Sequence, residues 1–305
     1  MSIKGGRFLL SLIAGCCFGP FAQAATSSPV IEVPFDFDHN AIIVQATVNG
    51  KGPFNMLLDT GADPSVIDLG TAKEIGLKLA AEGEQGTGGG TDANLAYETR
   101  LPLLEVGGLA ASGIEAVAMD LSKPGQALGR PIHGVLGQSF LNHRVVQIDY
   151  PQRVVRFYAN SRWLKRSRRS SHSKIITLSF CYRDDILVGG VMVNGKKVIA
   201  NLDTGSSGSF QLTPAAVTEL GLEAEVGKAR VSQSTGFNGT TENREGNIGN
   251  VSIGGMSIDG PAVVFYGKGT GRDNEAWGIR IGNAFLKDFV VTIDYPGKTV
   301  TLQRP

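Results

Sequence analysis

The chain has 305 residues, of which 42% are hydrophobic and 19% charged, and its formal net charge is +1. A balance so close to neutral argues against dependence on nucleic acid or on a strongly acidic partner. The length suits two domains of about 130 residues, each large enough to bury its own core, while 41 glycines, alternating apolar runs and few long helical periods point to a mainly β protein.

Residues 1–24 read as an export signal: Lys4 and Arg7 make a basic start, Phe8 to Phe21 is mostly apolar, and Ala22-Gln23-Ala24 fits a small-x-small cleavage site. The apolar run is short for a membrane span. Within it, Leu12-Ile13-Ala14-Gly15-Cys16 also fits a bacterial lipoprotein signal, which would leave Cys16 lipidated; cleavage after Ala24 is the favoured reading. Either route places the protein outside the cytoplasm, periplasmic or secreted in the first case and membrane-anchored in the second. Cleavage after Ala24 leaves Cys181 as the one cysteine, so no intramolecular disulfide forms. Cys181 follows Phe180 in a strand-like run and reads as a half-buried small hydrophobe.

Val30 to Phe35 and Ala41 to Val48 are predicted strands, the second turning at Asn49-Gly50, a strong hairpin signal. The next apolar run, Phe54 to Leu58, ends on Asp59-Thr60-Gly61, which sets an acid at the end of a rigid element with a glycine that permits close approach. Val66 to Leu77 is predicted as one short helix stopped by Gly76. The glycine-rich stretch from Gly83 to Thr91, with Gly88, Gly89 and Gly90, reads as a mobile hairpin over a site. Leu101 to Val106 and Ile114 to Met119 supply further strands, Gly134 to Gly137 leads into a turn or helix at Gln138 to Leu141, and Val145 to Ile148 with Val154 to Tyr158 makes a closing hairpin. His133 and His143 fall in different elements without a third ligand at metal spacing, so neither suggests a metal site and no cofactor is implied. Residues 161–174 are basic and serine-rich and read as a solvated linker between lobes spanning 29–160 and 175–305.

Beyond the linker the pattern replays. Val48-Asn49-Gly50-Lys51 returns as Val193-Asn194-Gly195-Lys196, a spacing of 145 (193 − 48), and Asp59-Thr60-Gly61 returns as Asp203-Thr204-Gly205, a spacing of 144 (203 − 59). Gly137-Gln138-Ser139-Phe140-Leu141 matches Gly282-Asn283-Ala284-Phe285-Leu286, and Ile148-Asp149-Tyr150-Pro151 matches Ile293-Asp294-Tyr295-Pro296. Thr213-Pro214 starts a helix that Gly221 stops, and Gly236-Phe237 stands where the first copy has its glycine-rich loop. The chain is a tandem duplication. Two similar lobes pack about a pseudo-two-fold axis, and Asp-Thr-Gly turns near that axis would bring Asp59 and Asp203 within hydrogen-bonding distance.

Asp59-Thr60-Gly61-Ala62-Asp63 resembles the signature of retroviral-type aspartic proteases, and Asp203-Thr204-Gly205-Ser206-Ser207 that of the pepsin type. Val135-Leu136-Gly137 also matches the late hydrophobic-hydrophobic-glycine motif of that superfamily. The resemblance spans both lobes and implies a bilobal acid-protease fold: two β-barrel-like lobes with a short helix each, a cleft for a peptide or protein substrate, flaps around Gly88 to Gly90 and Gly236 to Phe237, and no metal. It further implies an aspartic endopeptidase in which a water held between Asp59 and Asp203 attacks the scissile carbonyl. Thr60 and Thr204 would brace the two loops, and Gly61 and Gly205 would offer backbone N–H groups to the carboxylates. Since one chain carries both halves, a monomer is expected. One departure stands out: Arg280-Ile281-Gly282 holds a cation where the motif has a hydrophobe, so Arg280 either points to solvent or pairs with an acid. Two other classes compete with the endopeptidase, a non-catalytic peptide-binding module and a structural envelope protein that keeps the fold. Two intact buried acids weigh against both, because such groups are costly unless paired or protonated.

Overall fold

The computed structural model describes residues 30–86, 88–167, 175–183 and 185–305, with the backbone alone for 165–167. The export segment with Cys16, and the basic run at 168–174, lie outside the described residues. The fold is mainly β and bilobal. Among the described residues no helix is long and apolar enough to cross a membrane.

Each lobe is built around the same threaded motif. In the first, the strand Lys51–Leu58 runs parallel to Gly134–Leu136, which pairs antiparallel with Ser65–Asp68. In the second, Lys196–Leu202 runs parallel to Ile279–Ile281, which pairs antiparallel with Phe210–Leu212. The hairpins that feed these strands turn at Asn49-Gly50 and Asn194-Gly195, and both residues of each turn have positive φ, which these residue types tolerate and which matches the twist of a two-residue hairpin. The lobes join through their last strands: Val145–Asp149 pairs antiparallel with its own copy, Val290–Asp294, with Gln147 opposite Thr292 at the centre. Gln147 Nε2 donates to Thr292 Oγ1 at 3.1 Å inside that interface. A pseudo-two-fold axis therefore passes through a continuous sheet flanked by Val154–Tyr158 on one side and Thr299–Gln303 on the other.

Several local expectations change. Val66 does not start a helix: Ser65–Asp68 is a strand, and the helix is Leu69–Glu74, capped by Asp68, whose carboxylate accepts from Thr71 N at 2.9 Å. The β-branched pair Val66-Ile67 packs in the core and favours the sheet. Two helices, Ser122–Ala127 and Glu223–Lys228, join the expected ones. The linker begins as a helix, Ser161–Ser167, whose Leu164 is buried beside Val145 and Tyr158 of the first lobe. Cys181 is exposed. The strand Ile175–Arg183 buries Ile176, Leu178 and Phe180, so Cys181 falls on the outward register.

Candidate active site

Asp59 and Asp203 stand just past the ends of the two equivalent strands, and both are buried, 6% and 5% exposed. The backbone holds them alike: Asp59 N donates to Leu136 O at 3.1 Å and Asp203 N to Ile281 O at 3.0 Å. Gly61 N donates to Asp59 Oδ1 at 2.7 Å, and Gly205 N to Asp203 Oδ1 at 2.8 Å. Each carboxyl lies against the glycine of the opposite turn, Asp203 beside Gly61 and Asp59 beside Gly205, and the Asp203 charge acts on Asp59.

The threonines cross between lobes. Thr60 Oγ1 donates to Leu202 O and accepts from Thr204 N, at 2.9 and 3.0 Å; Thr204 Oγ1 donates to Leu58 O and accepts from Thr60 N, at the same two distances. Each hydroxyl thereby satisfies one buried donor and one buried acceptor of the opposite lobe. Removing one would leave both unpaired, at about 1–3 kcal/mol each. Glycine is required beside them, because a Cβ on Gly61 would lie 2.9 Å from Asp203 Cγ and one on Gly205 2.2 Å from Asp59 Cγ.

A further symmetric support was not singled out from sequence. Gln138 Nε2 donates to Thr60 O and Asn283 Nδ2 to Thr204 O, both at 2.6 Å, and Asn283 Oδ1 accepts from the Tyr150 hydroxyl at 2.6 Å. The signal was present: these two amides follow Gly137 and Gly282, at matching places in the repeat.

The candidate flap residues also converge. Glu84–Gln85 pairs with Leu95–Val106, and Arg230–Gly236 with Gly239–Asn247, so each lobe sends out a hairpin. Their tips cross: Asn238 N donates to Gly89 O at 2.8 Å and Asp92 N to Asn238 O at 2.7 Å. The crossing is too close for side chains. A Cβ on Gly90 would lie 2.1 Å from the Asn238 carbonyl, and one on Gly236 2.5 Å from Gly89 O. Gly88 lies against Phe237, which packs against a buried cluster of the first lobe that includes Val66 and Val135.

Arg280 does not face solvent. Its Nε lies 3.0 Å from Asp203 Oδ2, with 10% and 7% of the two side chains exposed. Nε has no aligned hydrogen-bond acceptor among the described residues, so the contact is an ion pair without a linear hydrogen bond. Arg280 Nη1 donates to the Tyr266 hydroxyl at 3.3 Å, and the guanidinium carbon sits 4.7 Å from the centre of the Trp277 ring. Asp185 completes the group, accepting from Asn201 Nδ2 at 2.8 Å and Trp277 Nε1 at 3.1 Å. Burial works against the Arg280 charge, but Tyr266, Asp203, Asp185 and Glu275 together hold the guanidinium above its ordinary value. Burial, partly countered by Arg280, holds the Asp185 carboxyl above the usual range.

Asp59 lacks such a cationic partner among the described residues of its own lobe. Burial first, then the Asp203 charge, push its carboxyl up to about 8, against the lowering pull of the Gly61 N–H and of Arg280. Two carboxylates that act on each other ionise together only at mutual cost, an arrangement that can share one proton and offer an acid beside a base. His133 plays a structural part, its Nδ1 accepting from Asn55 N at 3.0 Å.

A two-lobed β fold with an Asp-Thr-Gly turn from each lobe braced across a pseudo-two-fold defines the class of the aspartic proteases. The family model described as aspartyl protease matches residues 44–140 and 190–279, more than half of the sequence, and the chain belongs to that family. No curated protein matches the sequence.

Proposed function

We propose that the chain is an exported, single-chain aspartic endopeptidase in which Asp59 and Asp203 activate a water against a peptide bond. The observation that carries this reading is the pair of buried carboxyls held by the crossed Thr60 and Thr204 hydroxyls. As the water oxygen bonds to the scissile carbon, the ionised aspartate takes a water proton and the protonated one gives its proton to the carbonyl oxygen. Collapse of the resulting diol breaks the C–N bond and passes a proton to the leaving nitrogen, restoring the pair. The crossed flap tips must part to admit substrate and close again over it.

The export pattern of residues 1–24 supports a periplasmic or secreted location, and the mass of the mature N-terminus separates cleavage after Ala24 from lipidation at Cys16. A site assembled within one chain supports a monomer, so specific activity stays flat on dilution; a fall would point to an intermolecular site. The direct test is hydrolysis of casein and of a peptide library, with and without pepstatin. Inhibitable cleavage is the expected result. Tight pepstatin binding with no cleavage would move the peptide-binding module to first place. Hydrogen exchange with pepstatin bound should show added protection at Gly88 to Gly90 and at Gly236 to Gly239, and unchanged exchange there would remove the flap role.

A further inference from the structure

The pseudo-two-fold is broken most sharply at residue 280. In the first lobe Val135 pairs with Leu57 and Val66; in the second, at the same register, Arg280 pairs with Asn201 and Gln211. Three apolar positions have become an amide, an amide and a cation. We propose that Arg280 is a positioning residue that fixes the shared proton on Asp59 and leaves Asp203 as the carboxylate that deprotonates the water. The proposal rests on the reading of Asp59 and Asp203 as a proton-sharing pair, and it adds which member does what.

The charges facing the pair come from several elements. Asp203 meets Arg280 from the strand Ile279–Ile281 at 3.0 Å. Asp185 lies behind Arg280 at the start of Asp185–Val193, Tyr266 ends Ala262–Tyr266, and the Arg272–Glu275 ion pair, 2.6 Å long, occupies the following loop. Asp59 meets Asp203 and feels Arg280 from further off, with Tyr295 and Asp63 beyond; the Asp63 carboxylate accepts from the Tyr182 hydroxyl at 2.5 Å. Its own lobe offers Val135, Leu57 and Val66 on the side where Asp203 has its cation. A proton shared by two carboxyls rests on the one with less cationic support, which is Asp59. The raised Asp59 carboxyl agrees with that placement.

The cycle then has fixed roles. Asp203 takes the proton from water as the new C–O bond forms, and Asp59 gives its proton to the carbonyl oxygen. On collapse Asp203 passes its proton to nitrogen, the C–N bond breaks, and a diol hydroxyl returns a proton to Asp59.

Two measurements test this, one of them independent of proteolysis. The first is the pair of melts of Asp59→Asn and Asp203→Asn at neutral pH. An amide at 59 mimics the protonated carboxyl and keeps the Arg280–Asp203 pair, so its Tm rises above wild type; an amide at 203 leaves Arg280 buried without its closest partner, so its Tm falls. Equal shifts for the two variants would overturn the proposal. The second is the pH profile of kcat/KM for Arg280→Met and Arg280→Lys. Without the cation both limbs move to higher pH, by about one to three units, and Lys, which keeps the charge, brings them back toward wild type. Altered turnover with unmoved limbs in the Met variant would reduce Arg280 to a packing role. If wild type cleaves nothing, the endopeptidase reading fails, while the opposite shifts of the two amide variants still decide where the proton sits.

Discussion

The two lobes share a backbone and differ in what they set beside their aspartates. Strand register, the Asp-Thr-Gly turns, the crossed threonine hydroxyls and the Gln138 and Asn283 supports repeat almost distance for distance. The lining does not. Around Asp59 the equivalent positions are Ile132, Val135, Leu57 and Val66; around Asp203 they are Trp277, Arg280, Asn201 and Gln211. Symmetry brings two like acids together, and an asymmetric lining makes them chemically unlike. A symmetric dyad can place its proton on either member, whereas one built-in cation chooses.

The largest expected effect treats the lobes as equals. Asp59→Asn and Asp203→Asn should each lower peptide cleavage beyond the ~10²–10⁴-fold typical of one auxiliary proton-transfer group, since an amide can act as neither acid nor base. Both should stay folded by circular dichroism. Near-normal turnover in either would end the paired-aspartate mechanism.

Glycine substitutions should break the equality. Gly205→Ala drives a Cβ to 2.2 Å from Asp59 Cγ, while Gly61→Ala reaches only 2.9 Å from Asp203 Cγ. Overpacking of this kind costs about 1–3 kcal/mol, and Gly205→Ala should lie at or above the top of that range with the greater loss of activity. Chemical denaturation of both variants checks the order.

The brace should be symmetric again. Thr60→Val and Thr204→Val each remove two hydrogen bonds and leave a buried N–H and carbonyl unpaired in the other lobe, so each should cost roughly 2–6 kcal/mol. The double variant should cost clearly less than the sum, because the first change already loosens the partners of the second. Strict additivity in a denaturant cycle would mean that the hydroxyls do not act as one unit.

The pH dependence of stability separates the two aspartates. The Asp59 carboxyl is raised from 3.8 to about 8 in the fold, so its contribution is fully present below 3.8 and is lost as pH rises toward 8. Over that window the wild-type Tm should fall relative to Asp59→Asn, and parallel Tm curves would contradict the raised value.

Most of the site was legible because it is written twice. A lone Asp-Thr-Gly is ordinary turn chemistry; two copies at 144 residues' spacing mark the pair, its threonines and its glycines together. What escaped depends on facing. Periodicity cannot separate a short buried strand from a helix start, hence the misplacement of Val66-Ile67. One step of strand register turns Cys181 outward. Ser122–Ala127 contains Pro124 and Gly125, residues that disfavour a helix interior, yet a first-turn proline gives up an N–H that the helix does not use. The side to which Arg280 points is set by its alternation with Ile279 and Ile281, both buried in the core, and that needed the sheet.

The proposed chemistry turns on Asp59 and Asp203 forming one proton-sharing pair. Carboxyl carbon resonances of aspartate-labelled protein, followed from acid to alkaline pH and assigned with Asp59→Asn and Asp203→Asn, test it most directly. The expected result is a step near pH 8 that belongs to Asp59 and vanishes in Asp59→Asn. Two independent titrations, both near the ordinary aspartate value of about 3.9, would contradict it.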